Sequence, residues 1–266
     1  MNRDALSQPT LFKHDTHDGD EALTLIISSD LCYENAADVL QTIASSLISK
    51  PCEIRLDMSR VNLIDSSGLR ALLQSRRLCE ESNVNFSLMC VCAAVERVIA
   101  MSGFAGVFGL RQIEQVASRF GADGAVVPES DVWKVMEFQS VSESLMVSVL
   151  RGRVMDAASD AGASGDIFCD IQIAVGEALT NAFRHGSPNK GVDKIKLRCM
   201  TCSRAIVIEI EDEGDPFDPD AIHEPDPSHL RDHGMGIFLM RRAMDVVEFS
   251  INCPGNRVRM IKWLSR

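Results

Sequence analysis

Four short runs in this 266-residue sequence carry side chains whose types and spacing could do chemistry. In Glu177-Ala-Leu-Thr-Asn181 a carboxylate and a carboxamide stand four residues apart, which makes them neighbours on one helix face. The Asn181 carboxamide oxygen is a hard ligand suited to Mg2+, which prefers oxygen and usually keeps waters and phosphates as its other ligands. Glu177 could take a proton from an attacking hydroxyl. In Asp212-Glu-Gly214 a carboxylate follows a strand-like run. There it can accept from an exocyclic amine, which favours adenine over guanine, and Gly214 allows close backbone approach. Gly234-Met-Gly236 leaves bare N–H groups at a helix start, a setting suited to phosphate. Upstream, Asp65-Ser66-Ser67-Gly68 opens another helix. A phosphate on an exposed Ser66 would sit at the positive end of the helix dipole and add close to two negative charges beside Asp65.

Each run also has a plain structural reading. Glu and Asn at that spacing form a common exposed polar pair, and Asp-x-Gly after a strand is often just a turn. Asp or Ser before a helix is first of all a cap. Their order, and the element each one sits in, carry the argument.

The elements that must position these residues follow from periodicity. Residues 1–19 are polar and aperiodic and are expected to be a flexible lead-in. Leu23–Ile27, Ile54–Met58 and Val84–Cys92 are strand-like, the last of them as a buried strand. Helical spacing covers Ala36–Leu47 with Asn35 as its cap, the segment from Asp65 to Glu81, Ala93–Met101, and Ile113–Phe120. Strands alternating with helices imply a layered α/β domain over 20–121. Residues 122–129, within a stretch rich in Gly, Ala and Pro, are the expected linker.

A second domain, 130–266, opens with a strand at Val132–Phe138 and a helix from Ser142 to Ala158. A second helix, capped by Asp166, runs to about Arg184, with Ile171, Ala174, Ala178 and Ala182 as its apolar stripe. Ile195–Cys202 and Ala205–Asp212 form a hairpin around Ser203-Arg204. Residues 222–232 read as a loop, and a helix over Met235–Met244 and strands over Val246–Asn252 and Arg257–Trp263 complete the pattern.

Composition narrows the function classes. Hydrophobic residues make up 45% of the chain, aromatics only 5%, and the net charge is −11. Residues 1–124 hold 11 basic and 16 acidic side chains (−5), the remainder 16 and 22 (−6), so the acidity is spread evenly. That argues against nucleic acid as a direct partner. No apolar run approaches the roughly 20 residues that cross a bilayer, and the acidic start lacks a signal-peptide layout; a cytoplasmic, non-membrane protein is expected. Nine cysteines scattered through apolar runs fit a reducing compartment. Cys199-Met-Thr-Cys202 has metal or redox spacing, but it lies in an alternating strand without a second Cys or His pair.

The words Glu177–His185, Asp212–Pro219 and His233–Met240, in that order, resemble the ATP site of the GHKL superfamily, and most closely its anti-sigma-factor serine kinases. Leu63–Leu72 resembles the phosphorylation site of the STAS-domain anti-sigma-factor antagonists, the substrates of those kinases. The resemblances imply a two-domain α/β chain, a STAS-like domain of sheet and helices followed by a GHKL (Bergerat) α/β sandwich. They imply ATP with Mg2+ held by Asn181, and Glu177 as catalytic base. Asp212 with Gly214 beside it would bind adenine, and Gly234 and Gly236 would close over the phosphates. An Arg on the first helix would aid the γ-phosphate, Arg151 being favoured over Arg153. His185 ends the motif as in the family, where a ligand contact and a favourable helix-end charge remain equal readings. The lid would carry His223, His229, Arg231 and His233. Ser66 would accept the phosphate, with Ser67 as fallback.

The implied function is partner switching by a protein-serine kinase that phosphorylates its own Ser66 or a separate STAS protein, and so controls a sigma factor or another partner. The alternative is a non-catalytic ATP-binding sensor that docks through the STAS domain. A homodimer is common among these kinases and stays open here. A histidine kinase would need a phosphoacceptor His before the ATP domain, and none lies between His17 and His185. DNA-linked GHKL ATPases need a transducer domain after the site; only 30 residues follow Gly236, so none is expected.

Overall fold

The computed structural model describes residues 11–15, 22–110, 132–219, 234–253 and 255–264. The chain divides into two compact units, Met1–Gln112 and Ile113–Arg266. The expected linker over 122–129 and the helix over Ile113–Phe120 lie outside the described residues.

In the first unit four strands form one sheet in the order β1-β2-β3-β4: β1 (Leu11–Asp15), β2 (Ala22–Ile27), β3 (Glu53–Asp57) and β4 (Asn85–Met89). The β2–β3 and β3–β4 pairs are parallel, as helical crossovers require, and β1–β2 is antiparallel. The connecting helices are α1 (Ala36–Ser46), α2 (Ser66–Glu81) and α3 (Ala93–Met101). Leu25, Ile27, Ile54 and Leu56 from the strands meet Ile43 and Leu72 from the helices in a fully buried aliphatic core.

Three expectations need correction. Leu11–Asp15 is a strand and not lead-in coil: it takes its order from pairing with the open edge of β2, from Leu11 opposite Ile27 to Asp15 opposite Leu23. The strand expected as buried over Val84–Cys92 is shorter, and no residue of β4 is fully buried, because it is an edge strand with a neighbour on one side only. Asn35 does precede α1 but makes no cap bond to it. Its Oδ1 accepts from Cys32 N at 2.9 Å and its Nδ2 donates to Asp30 O at 2.7 Å, so it closes the preceding turn.

The second unit has a five-stranded antiparallel sheet in the order β5-β6-β7-β9-β8. The strands are β5 (Lys134–Val141), β6 (Lys194–Thr201), β7 (Ala205–Glu211), β8 (Val246–Cys253) and β9 (Gly255–Trp263). Helices α4 (Ser144–Asp160), α5 (Gly165–Arg184) and α6 (Met235–Ala243) complete it. Residues Cys199, Ile208 and Met260 share the face from which Lys262 reaches Asp170 on α5, and this is the buried face. The opposite face carries a row of alternating charge across all five strands. Arg198 meets Glu137 at 3.0 Å and Glu209 at 3.8 Å, and Arg259 meets Glu209 at 3.4 Å and Glu248 at 2.9 Å. Opposite charges directly across a sheet stabilise register modestly.

On α5 the expected stripe of Ile171, Ala174, Ala178 and Ala182 is buried. The residue before the helix is Ser164 and not Asp166; α5 starts at Gly165, two residues earlier than expected, which leaves Asp166 in the first turn. There its charge faces the positive helix end. Among the described residues no helix is long and apolar enough to cross a membrane.

Candidate active site

α5 supplies the two polar residues. Glu177 is 1% exposed, so the reading as an exposed surface pair does not hold for it. Asn181 is half-buried one turn later, and its side chain makes no hydrogen bond among the described residues. α6 reaches the same place from a chain segment 55 residues beyond Asn181. A Cβ built at Gly236 would lie 2.5 Å from Glu177 Oε2 and 3.5 Å from Asn181 Nδ2. A Cβ there would have to push the end of the Glu177 side chain aside, and the first turn of α6 therefore faces both polar groups. Gly234 caps that helix with φ of +104°, a left-handed conformation that glycine takes without strain.

Asp212 follows β7 and is held by three donors on one oxygen. Its Oδ1 accepts from Gly214 N at 3.0 Å, Asn256 N at 3.3 Å and Asn256 Nδ2 at 3.0 Å. Its Oδ2 keeps no protein partner among the described residues and points along Gly186, where any added Cβ would collide with the carboxylate. A carboxylate with one oxygen fixed and one available is set to accept from an amine. Asn256 also donates to Asp215 O at 3.0 Å, while its own Oδ1 is buried and unpartnered.

At Gly214 the close backbone approach is between two protein segments. A Cβ there would lie 2.5 Å from Gly186 Cα and 2.7 Å from His185 O, so its smallness brings two protein segments together. Glu213 N donates to Gly186 O at 3.0 Å across the same contact. The loop after α5 is thus stitched to the strand end that carries Asp212.

The second unit therefore brings a buried carboxylate, an uncommitted carboxamide, a half-committed carboxylate and a bare helix N-terminus to one locality. Comparison with known proteins gives this arrangement a family. Residues 142–262 match the model of the histidine kinase-like ATPase domain, and residues 13–118 match the STAS domain. The serine-protein kinase RsbW of Bacillus licheniformis is 32% identical over 142 residues, 49% of this chain and 86% of that protein. That of Bacillus subtilis is 30% identical over 138 residues, with the same coverage of 49% and 86%. The chain belongs to the RsbW family of serine-protein kinases.

Its first unit is a STAS domain, and the RsbW-type unit follows as an ATP-using kinase domain. Among solved structures, the RsbU and RsbW domains of a Mycobacterium tuberculosis protein are similar at 13% identity and a TM-score of 0.37, over 50% of this chain and 33% of that one.

Two arginines lie on α4, the first helix of the RsbW-type unit. Arg151 is half-buried, and its Cδ lies 3.9 Å from where a Cβ on Gly176 would be. It therefore lies over the residue before Glu177. Arg153 is exposed and stands 6.0 Å from the centre of the Phe138 ring on β5. His185 is exposed at the end of α5, where its N–H donates to Asn181 O at 2.8 Å. The lid residues His223, His229, Arg231 and His233 lie outside the described residues.

In the STAS unit Asp65 caps α2: Oδ1 accepts from Gly68 N at 2.8 Å and Oδ2 from Tyr33 N at 2.9 Å. Ser66, expected to be exposed, is half-buried, as is Ser67; the Asp65 cap ties the first turn to the loop that holds Tyr33. Gly68 packs so closely on Leu31 that a Cβ would collide with the Leu31 carbonyl oxygen.

Cys199 and Cys202 are buried free thiols, and burial pushes the Cys199 thiol up to about 12. A thiol held protonated is a poor ligand and a poor nucleophile. No metal-holding cluster of His, Cys, Asp or Glu occurs among the described residues.

Sequence reasoning missed Gly186, Gly255 and Asn256. Gly186 directly follows the recognised run and could have been added from the need for a tight turn after α5. Asn256 becomes visible only through strand pairing, because it faces Asp212 across the β7–β9 edge, where Asp212 N donates to Asn256 O at 2.9 Å.

Proposed function

We propose that this chain is a partner-switching kinase that transfers the γ-phosphoryl of ATP to a serine in the Asp-Ser-Ser-Gly turn of a STAS domain. The observation that carries the reading is the convergence of Gly236 on Glu177 and Asn181, which places a phosphate-suited helix start against a buried base.

Asp212 Oδ2 would accept from the 6-amino group of adenine, which guanine lacks. The N–H groups of the first turn of α6 would hold the phosphates, helped by the helix dipole. Asn181 fits a Mg2+ role: it is an oxygen donor whose side chain has no competing bond among the described residues, beside that phosphate cradle. When bound, the ion would neutralise charge developing on the phosphate oxygens. Glu177 would take the proton of the serine hydroxyl as its oxygen bonds to the γ-phosphorus. The bond from that phosphorus to the β–γ bridging oxygen breaks, and ADP leaves with the electron pair. Arg151, through its place over Gly176, is the better-placed cation for the transferred group.

The acceptor is Ser66 of this chain or the matching serine of a separate STAS protein. Phosphate at Ser66 would lie beside Asp65, already committed to two backbone donors, and the added charge would repel an acidic partner surface. The controlled partner would be a sigma factor or a STAS antagonist, in the cytoplasm, with a homodimer as the form to test.

Intact-mass spectrometry of the purified chain with and without Mg-ATP tests this, alongside Glu177→Gln and Ser66→Ala. One added phosphate, absent from both variants, is the expected result for self-phosphorylation. With a separate STAS protein as substrate, the phosphate appears on that protein and only Glu177→Gln abolishes it. ATP binding without transfer to any STAS serine would leave a nucleotide sensor and sink the kinase reading.

A further inference from the structure

Lys262 is an unusual residue to find inside a sheet-and-helix core. It is 7% exposed, and its partner Asp170 is 4% exposed. From β9 its Nζ donates to Asp170 Oδ2 at 2.8 Å and to Ala243 O at 2.6 Å. Asp170 is in the first third of α5, and Ala243 is the last residue of α6. One ammonium group thus joins three elements. It also satisfies a carbonyl that the end of α6 would otherwise leave open, with a positive charge at the negative helix end.

The positions of these contacts are related. Asp170 and Glu177 are seven residues apart on α5, and Gly236 and Ala243 are seven apart on α6. Seven residues are two turns, about 10 Å, so both members of each pair lie on one helix face. Gly236 stands against Glu177, and Ala243 is tied through Lys262 to Asp170. The helices run antiparallel and touch at two matched points. One point is the catalytic contact and the other is the Lys262 clamp.

We infer that Lys262 is a positioning residue that sets the register of α6 along α5, and through it the distance between the phosphate-binding turn and Glu177 with Asn181. The inference rests on the nucleotide reading above. A buried ion pair is weak ground for stability, since well-packed apolar replacements are often neutral or better. The bond to Ala243 O has no such substitute: an apolar side chain cannot hold a helix end in register.

The test is the ratio of two dissociation constants, for adenosine and for ATP with Mg2+, measured by calorimetry on the full chain. Adenosine reaches the Asp212 end but has no phosphates for α6. Partial unfolding weakens both ligands by the same factor, so the ratio reports geometry and not stability. In an Asp170→Leu/Lys262→Met double variant, adenosine binding should be unchanged while ATP binding weakens on the order of tenfold or more. Lys262→Arg, which can still donate to both partners, should restore the ratio. Asp170→Asn/Lys262→Met, which keeps the shape of Asp170 and still removes the donor to Ala243 O, gives the same comparison if the first double variant folds poorly. An unchanged ratio in either variant would overturn the inference. Failure of the wild type to bind either ligand would instead sink the nucleotide reading, and the inference with it.

Discussion

At Ser66 the chain builds a site from two adjacent loops; at Glu177 it builds one from four separate segments. The Ser66 turn is held by its own neighbour: Asp65 caps the helix that Ser66 opens, and its second oxygen takes the amide of Tyr33. The nucleotide site needs the middle of α5, the Gly186 loop after it, the end of β7 with Asn256 across the edge, and the start of α6. Both sites use a helix N-terminus and a carboxylate. They differ in what a single substitution can undo. In the first, a lost contact weakens one cap, and an added methyl at Gly68 presses the helix start against Leu31. In the second, an added methyl moves apart the segments that carry the separate polar groups.

The largest effect should come from Glu177, the proposed base. Glu177→Gln keeps the shape of a buried side chain and removes the base. Phosphoryl transfer to a STAS serine, followed with radiolabelled ATP, should fall about 10²–10⁴-fold. ATP affinity by calorimetry should stay within a few fold, since glutamine keeps the shape of the side chain against Gly236 and leaves Asp212 untouched. Transfer at the wild-type rate would remove Glu177 from the mechanism.

A matched pair of glycine substitutions sets the two sites directly against each other. An alanine at Gly255 would put its Cβ on the Asp212 carbonyl oxygen, and the residue also has φ of +95°, which alanine adopts only with strain. An alanine at Gly68 would put its Cβ on the Leu31 carbonyl oxygen, from within a helix. Each should cost roughly 1–3 kcal/mol or more, the range of overpacking. Their consequences should separate. Gly255→Ala should abolish detectable ATP binding, because Asp212 moves. Gly68→Ala should lower the melting temperature of the chain and leave ATP binding intact. Loss of ATP binding in Gly68→Ala would mean that the two sites are not independent.

Asn256 and Asp65 make a gentler version of the same comparison. Asn256→Ala removes one of three donors on Asp212 Oδ1 and frees Asp215 O. A loss of about 1–2 kcal/mol of positioning, read as an ATP dissociation constant raised several-fold to tenfold, is expected. Asp65→Ala removes an N-cap and should cost about 1 kcal/mol in thermal denaturation, with no change in ATP affinity. An Asn256→Ala variant that binds ATP normally would show that Asp212 is held well enough by Gly214 N and the backbone of Asn256.

The contrast also explains how much of the molecule the sequence revealed. α2, α3, α5, α6 and the β6–β7 hairpin were legible because apolar spacing, a cap or a breaker marks each within its own segment. The Ser66 turn was legible for the same reason. Glu177, Asn181, Asp212 and the Gly234–Gly236 pair could be singled out as words in order, but their meeting is a property of the packed unit. Gly186 and Asn256 escaped because their signal is a neighbour in space: Gly186 meets the Asp212 carboxylate, and Asn256 meets it across a strand edge. β1 escaped because its order comes from pairing with β2 and not from its own pattern. Lys262 escaped because an inward-pointing lysine breaks the alternation by which a strand is recognised.

The smallest expected effect is also the one that best separates two readings of α4. Arg151 and Arg153 sit two residues apart, so they leave the helix about 200° apart and cannot serve the same site. Arg151 lies over Gly176, next to Glu177 in the chain, while Arg153 faces the Phe138 ring from an exposed position. An exposed cation over a ring contributes about 0.5–1 kcal/mol, so Arg153→Ala should shift the melting temperature slightly and leave transfer unchanged. Arg151→Ala should slow transfer more than it weakens ATP binding, because charge on the transferred group grows only as the phosphoryl leaves ADP. Adenosine binding should not change in either variant. If Arg153→Ala were the slower enzyme, the phosphate end of the site would have to lie toward β5. Its approach from α6 across Gly236 would then lose its meaning.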